Sequence, residues 1–281
     1  MFDNELLRGK RVLITGGGTG LGAAMGRRFL MSGAELVICG RREEVLRETA
    51  QRLAAETGGK VTALRCDVRD AGDVDAMMDR AFEGAPLDVL VNNAAATFIA
   101  QTEHLSARAA DAILAPTLHG ALYCTMAAGK RWIASGRKGV VLSILSTSTI
   151  TGRAFTVPSA IAKSGVLAMT KSLAVEWGSK GVRLVAIAPG PFPTPGASEN
   201  LRPEGRAAIL PEDLNPLGRV GRHEELADLA SFLISDRAGY INGEMVTIDG
   251  GAHLRTSGAE DLLGWSEEQW ERHRASLKPR S

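Results

Sequence analysis

Seven short runs rich in Val, Ile and Leu most constrain this chain: Arg11–Thr15, Glu35–Cys39, Val61–Cys66, Leu87–Val91, Val140–Leu145, Val182–Ala188 and Met245–Ile248. They lack the polar alternation of a strand with one wet face, so each reads as a strand buried on both sides. Stretches of helical period separate them. Such a chain can bury every run by winding βα units onto one parallel sheet with helices on both faces. The expected fold class is α/β, a doubly wound parallel sheet, and 281 residues suffice for it as a single domain spanning 1–281.

Two stretches break the rhythm. Pro191 to Pro216 carries six of the eleven prolines and no sustained period, so a loop acting as a substrate flap is expected over about 191–220. Pro116 falls within the helical pattern running from Ser106 to Ala134 and should kink it. The residues 252–281, with a polar helix around Glu267–Arg274, read as a C-terminal appendage.

Charge and composition exclude some partners. A net charge of +1 with 44% hydrophobic residues gives no electrostatic reason to bind nucleic acid. Cys39, Cys66 and Cys124 sit in apolar contexts without a pairing motif and read as small buried hydrophobes. No apolar run is long enough to span a bilayer, the start MFDNELLRGK lacks a signal-peptide pattern, and Lys278-Pro279-Arg280-Ser281 is no peroxisomal address; a cytoplasmic location is expected. The histidines have no metal-ligand spacing, so no metal is expected, and His104, His223 and His253 read as solvated.

Thr15 to Gly22 reads TGGGTGLG, directly after the first strand and leading into a helix. Gly16, Gly20 and Gly22 permit a tight turn and close backbone approach to a pyrophosphate resting on the helix N-terminus, with Thr19 and Leu21 in the same turn. This order of strand, glycine turn, helix and second strand is that of a Rossmann dinucleotide fold. The second strand ends in Gly40-Arg41-Arg42, where a site selective for NAD places an acid. Two guanidinium groups suit a 2′-phosphate, so NADP(H) is the favoured cofactor; the alternative is that the arginines open a solvated helix.

With Cys66-Asp67-Val68, Asn92-Asn93-Ala94-Ala95, Ser159-x-x-x-Lys163 and Pro189-Gly190 added, the chain resembles the short-chain dehydrogenase/reductase family from about Lys10 to Gly251. The resemblance implies that Asp67 and Val68 contact adenine, that Asn93, Ala94 and Ala95 line the ribose and hold the central strands, that Lys163 holds the nicotinamide ribose, and that Pro189, Gly190 and Pro191 cover the nicotinamide. It also implies a homo-oligomer, a tetramer paired through the helices at Ser106–Ala134 and Ser159–Ser179.

At the chemical centre the family pattern changes. Ser159 stands where most members carry a tyrosine acid, and a serine hydroxyl is far weaker than a phenol; Ser146 keeps the assisting position. The asparagine usual in the preceding helix is replaced by Thr117 or His119, and His119 is a candidate donor or proton relay.

The 2,4-dienoyl-CoA reductase branch carries serine there, and this chain is similar to it through Phe155-Thr-Val-Pro-Ser159-x-x-x-Lys163-x-Gly165, Ala174-x-Glu176-Trp177-Gly178, Asp249-Gly250-Gly251 and Glu267-Glu268-Gln269-Trp270. That likeness implies NADPH-dependent reduction of a conjugated C=C in an unsaturated acyl-CoA. Ser159 would orient lysine and cofactor; Phe98 and Ser106 would border the substrate, and Arg69 the CoA side. The branch tyrosine falls at Ser148, its oxyanion asparagine at Thr97, and a basic flap residue at Asn200. Two other readings remain open: a carbonyl reductase or alcohol dehydrogenase with a rebuilt acid site, and a cofactor-binding protein without turnover.

Overall fold

A computed structural model of the chain describes residues 5–194, 201, 215–255 and 260–276. Strands β1 (Arg11–Thr15), β2 (Glu35–Gly40), β3 (Val61–Arg65), β4 (Val89–Asn92), β5 (Gly139–Ile144), β6 (Val182–Pro189) and β7 (Met245–Ile248) are the seven predicted runs, with ends shifted by at most two residues. They form one sheet in the order β3-β2-β1-β4-β5-β6-β7, with every pairing parallel.

The absence of polar alternation has the expected consequence. Val12, Ile14, Leu36, Ile38, Val89 and Val91 face a core built with α1 (Gly20–Met31), α2 (Glu43–Thr57) and α8 (His223–Ile234). Leu13, Val37, Cys39 and Leu90 face the opposite core with α3 (Ala71–Phe82), α5 (Gly120–Ala134) and α7 (Val157–Gly178). Both faces of the sheet are covered by apolar layers, so the sheet is a doubly wound Rossmann sandwich. All three cysteines are buried and free. The neighbouring Cys66 thiol and burial push the Cys39 thiol well above its ordinary range.

Pro116 does deform its helix, but by widening it. α4 (Ala107–Leu114) passes into one π turn, Ala115–His119, before α5. The extra residue in that turn relieves the clash a proline ring makes with the carbonyl four residues earlier, here that of Ala112. α7 starts with Pro158 in its first turn, where a missing amide costs nothing. A short helix, α6 (Ser148–Thr151), follows β5, and α9 (Glu267–Ser276) gives the polar tail helix its observed bounds. Most of the expected flap, 195–200 and 202–214, and the tail residues 256–259 and 277–281 lie outside the described residues. No described helix is long and apolar enough to cross a membrane.

Strand order reverses between β1 and β4, and this opens a crevice at their carboxyl ends. One hydroxyl ties the two ends together. Thr15 Oγ1 accepts hydrogen bonds from the backbone N–H groups of Asn93 and Ala94, both at 3.0 Å, and donates to the Val91 carbonyl at 3.3 Å. Thr15 is 2% exposed, so water cannot replace those contacts. Thr15→Val keeps the volume but orphans two amides at about 1–3 kcal/mol each. The expected result is a fall in Tm of about 5–15 °C, measured by differential scanning calorimetry.

Candidate active site

The glycine turn has the shape its spacing predicts. Gly16 is held at φ +65°, and a Cβ there would stand 3.1 Å from Ala94 Cα. At Gly22 a Cβ would lie 2.5 Å from the Gly16 carbonyl oxygen and 2.7 Å from Asn93 Nδ2. Asn93 fills that space by donating from its amide to the Thr15 and Gly16 carbonyls at 3.0 and 3.2 Å. The backbone is thus left bare on its outer side for a phosphate to approach. Thr19 precedes α1 in an extended conformation and makes no side-chain cap, so the first amides of α1 face the turn uncapped beside Gly20 and Leu21. These residues fit a dinucleotide pyrophosphate.

Arg41 and Arg42 are both exposed, with Arg42 at the start of α2. Asp67 accepts from the Arg69 guanidinium at 2.9 and 2.5 Å and from the Arg69 backbone at 3.1 Å. That hydrogen bonding, against a smaller opposing effect of burial and with help from the charge of Arg41, holds the Asp67 carboxyl below its usual range. Arg69 is therefore paired at the β3 end of the crevice. Val68 is buried beneath it against Gly120, where a Cβ would come within 2.7 Å of Val68 Cγ2.

At the other end, Lys163 and Ser159 share one face of α7, a turn apart. Lys163 is buried, and its Nζ donates to the carbonyl of Ile144 at the end of β5. Burial lowers its pKa to about 8. Ser146 lies two residues beyond Ile144, and its Oγ accepts from the Ser148 backbone N–H at 3.3 Å. Ser148 itself is buried. β5 and α7 thus bring Ser146, Ser148, Ser159 and Lys163 to one strand end.

The loop after β4 carries Ala95, Thr97 and Phe98, and its Ala100 N–H donates to the carbonyl of Phe155, four residues before Ser159, at 2.9 Å. Thr117, buried in the π turn, holds this loop: its Oγ1 accepts from the Ala96 N–H at 3.1 Å. His119 is exposed, with its ring 6.1 Å from that of Tyr123. Residues two apart in a helix point to different sides, so Thr117 and not His119 supports the loop. Ser106 caps α4, accepting from the Ala109 N–H at 3.2 Å.

Gly190 donates to the Ile248 carbonyl at 2.9 Å, and the Pro191 carbonyl accepts from Gly221 at 2.9 Å. Phe192 anchors this stem in the core, and Thr194 returns to the glycine turn, within 3.2 Å of where a Cβ on Gly20 would stand. Asn200 lies outside the described residues. Two features escaped the sequence reading. His253 is not a freely solvated side chain: its Nδ1 and backbone N–H both meet the buried Asp249 carboxylate at 2.8 Å. Phe155 takes φ +63°, a region that bulky residues avoid at a cost of about 1–3 kcal/mol.

The family model described as enoyl-(acyl carrier protein) reductase matches residues 16–253. The chain belongs to the short-chain dehydrogenase/reductase family, in its 2,4-dienoyl-CoA-reductase-like branch, and is an oxidoreductase of the nicotinamide-linked type. It is 41% identical to a Caenorhabditis elegans protein named "Probable 2,4-dienoyl-CoA reductase 3 [(3E)-enoyl-CoA-producing]", over 94% of this chain and 88% of that one. It is 31% identical to the peroxisomal 2,4-dienoyl-CoA reductase of Mus musculus, over 94% and 90% of the two chains. The crystal structure of a short chain dehydrogenase from Bacillus anthracis superposes with a TM-score of 0.78 at 40% identity, covering 88% of this chain and 98% of the other.

The depressed lysine gives a signed test. Its pKa of about 8 lies below the ordinary 10.5, so the unfolded chain binds more protons between those values and stability contributed by this group rises with pH there. Below about pH 8 the buried charge costs about 3 kcal/mol in the cofactor-free protein. Lys163→Met should remove that pH dependence while abolishing most turnover. Tm of both proteins from pH 7 to 10.5 checks it; parallel curves would show that the lysine is not titrating in a buried site.

Proposed function

We propose that the chain is an NADPH-dependent reductase of conjugated C=C bonds in unsaturated acyl-CoA thioesters. The observation that carries the reading is Ser159, one helical turn from a buried and anchored Lys163, where a carbonyl reductase needs a phenol. Membership of the dienoyl-CoA-reductase-like branch supports the same substrate class. We place residues 1–281 in one domain, with a flap at about 191–220 and an appendage at 252–281. The assembly we favour is a tetramer, and the compartment a cytoplasmic one.

The site residues divide the work. The turn Gly16 to Gly22 holds the pyrophosphate, Asp67 and Val68 the adenine, and Asn93 to Ala95 the adenosine ribose. Lys163 donates to the nicotinamide ribose, and Ser159 orients the lysine. When bound, a reduced nicotinamide supplies hydride. Negative charge then grows on the thioester oxygen, and the hydroxyls of Ser148, Thr97 and Ser146 are the donors this chain offers to it. Such donors stabilise a developing oxyanion more than any acid of serine strength could, and the carbon proton comes from water.

NADPH oxidation followed with 2,4-dienoyl-CoA, 2-enoyl-CoA and a panel of ketones tests the reading. Fastest turnover on the dienoyl thioester is expected; faster turnover on a ketone would assign a rebuilt carbonyl site, and binding without turnover would assign neither. A second measurement addresses cofactor choice. Exchanging Arg41 and Arg42 together for Ala removes two charge-assisted contacts of about 1.5–3 kcal/mol each, a weakening of about a hundredfold or more for NADPH. NADH, which lacks the 2′-phosphate, should bind nearly as before; equal weakening of both would make the arginines surface charges.

A further inference from the structure

Phe155 is the described non-glycine residue with a positive φ, +63°, and its side chain is not what the strain protects in the core: the residue is 54% exposed. The loop around it is firmly built. Gly152 closes α6 by donating to the Ser148 carbonyl at 3.0 Å, and Thr156, 3% exposed, donates from its backbone to Arg153 at 3.4 Å. The Phe155 carbonyl accepts from the Ala100 N–H at 2.9 Å, so the loop is fastened to the segment that carries Thr97 and Phe98. A large apolar ring is thereby held out at the rim, seven residues after Ser148 and four before Ser159, on a backbone conformation that resists any other direction.

Strain retained by a well-anchored loop calls for a function at the group it presents. We propose that Phe155 is a specificity-determining residue, the apolar surface on which the acyl chain of the substrate lies. This rests on the acyl-thioester reading above and deepens it. The chemistry suits the occupant: the hydroxyls of Ser146, Ser148 and Thr97 serve the polar thioester, and an apolar chain leaving that centre past α6 and α7 meets the uncovered phenyl. Each methylene removed from water on such a surface tightens binding by up to about fourfold.

Calorimetric binding of saturated hexanoyl-, decanoyl- and myristoyl-CoA to the full chain with NADP⁺ reads this contact without turnover. The wild-type protein should bind decanoyl-CoA at least about tenfold tighter than hexanoyl-CoA. In Phe155→Asn, whose side chain tolerates positive φ, that preference should shrink to about twofold or less, while Tm is kept or raised. Phe155→Leu should retain most of the preference, since it keeps apolar surface. An unchanged length preference in Phe155→Asn overturns the proposal, as does equal weakening toward every chain length and toward CoA alone, which would make the loop a scaffold. A changed oligomeric state by light scattering with the length preference intact would make Phe155 a subunit contact and overturn it too. Intact, length-dependent acyl binding with no turnover on any dienoyl-CoA would sink the reductase reading alone, and failure to bind any acyl-CoA would sink both.

Discussion

The hydroxyl of Thr15 is the contact on which the site depends. Adjacent parallel strands that emerge on opposite sides of a switch point have no ladder bonds beyond their last residues, and their ends are free to splay. Thr15 closes that gap by taking two amides from the chain leaving β4. Once Asn93 is fixed there, its amide occupies the floor of the glycine turn, and Gly22 has no room for a side chain. The loop carrying Ala95, Thr97 and Phe98 starts from this same point and is caught again by Thr117. The glycine turn and the loop after β4 thus share one knot.

A second constraint comes from burying an ammonium group. Lys163 has a carbonyl partner but no described carboxylate, so desolvation is opposed only by one hydrogen bond to a dipole. Such a lysine is less stable in place than an apolar residue would be. It has donors to spare, since an ammonium carries three and the Ile144 carbonyl takes one. On the function proposed above, those unused donors would serve the nicotinamide ribose, and binding it would recover part of the cost of burial.

Strand positions were legible because burial on both faces leaves one pattern in a parallel sheet, and the same physics fixed the partition of Val12 and Leu13 to opposite cores. The glycine cradle was legible for a similar reason: few residues tolerate such crowding. What escaped was set by contacts the local sequence does not encode. Pro116 announces a kink, but not its form as a π turn, beside which Gly120 packs closely on Val68 and Gly165 on Leu118. His253 sits in a polar stretch, yet Asp249 four residues earlier is buried and draws it in. Ser106 reads as a substrate contact, and its cap on α4, a role the sequence reading did not assign it, comes from the structure. Phe155 offers no signal at all, because positive φ is forecast from glycine or asparagine and never from phenylalanine.

The serines at the chemical centre follow the same logic of charge. Reduction of a ketone develops an alkoxide that must be protonated as it forms, which demands a group whose acidity approaches that of a phenol. A buried ammonium four residues away can lower a neighbouring hydroxyl's pKa, but a serine starts too far above the phenol range for this to close the gap. In a conjugated thioester the charge is instead delocalised to an oxygen several bonds from the carbon receiving hydride. Protonation is then separable from the hydride step, and hydrogen-bond donors of ordinary strength suffice at the oxygen. On the function proposed above, Ser146, Ser148 and Thr97 would meet that demand and fail the other, and Ser159, in the place of the tyrosine most of the family carries, is the residue that discriminates between the two chemistries.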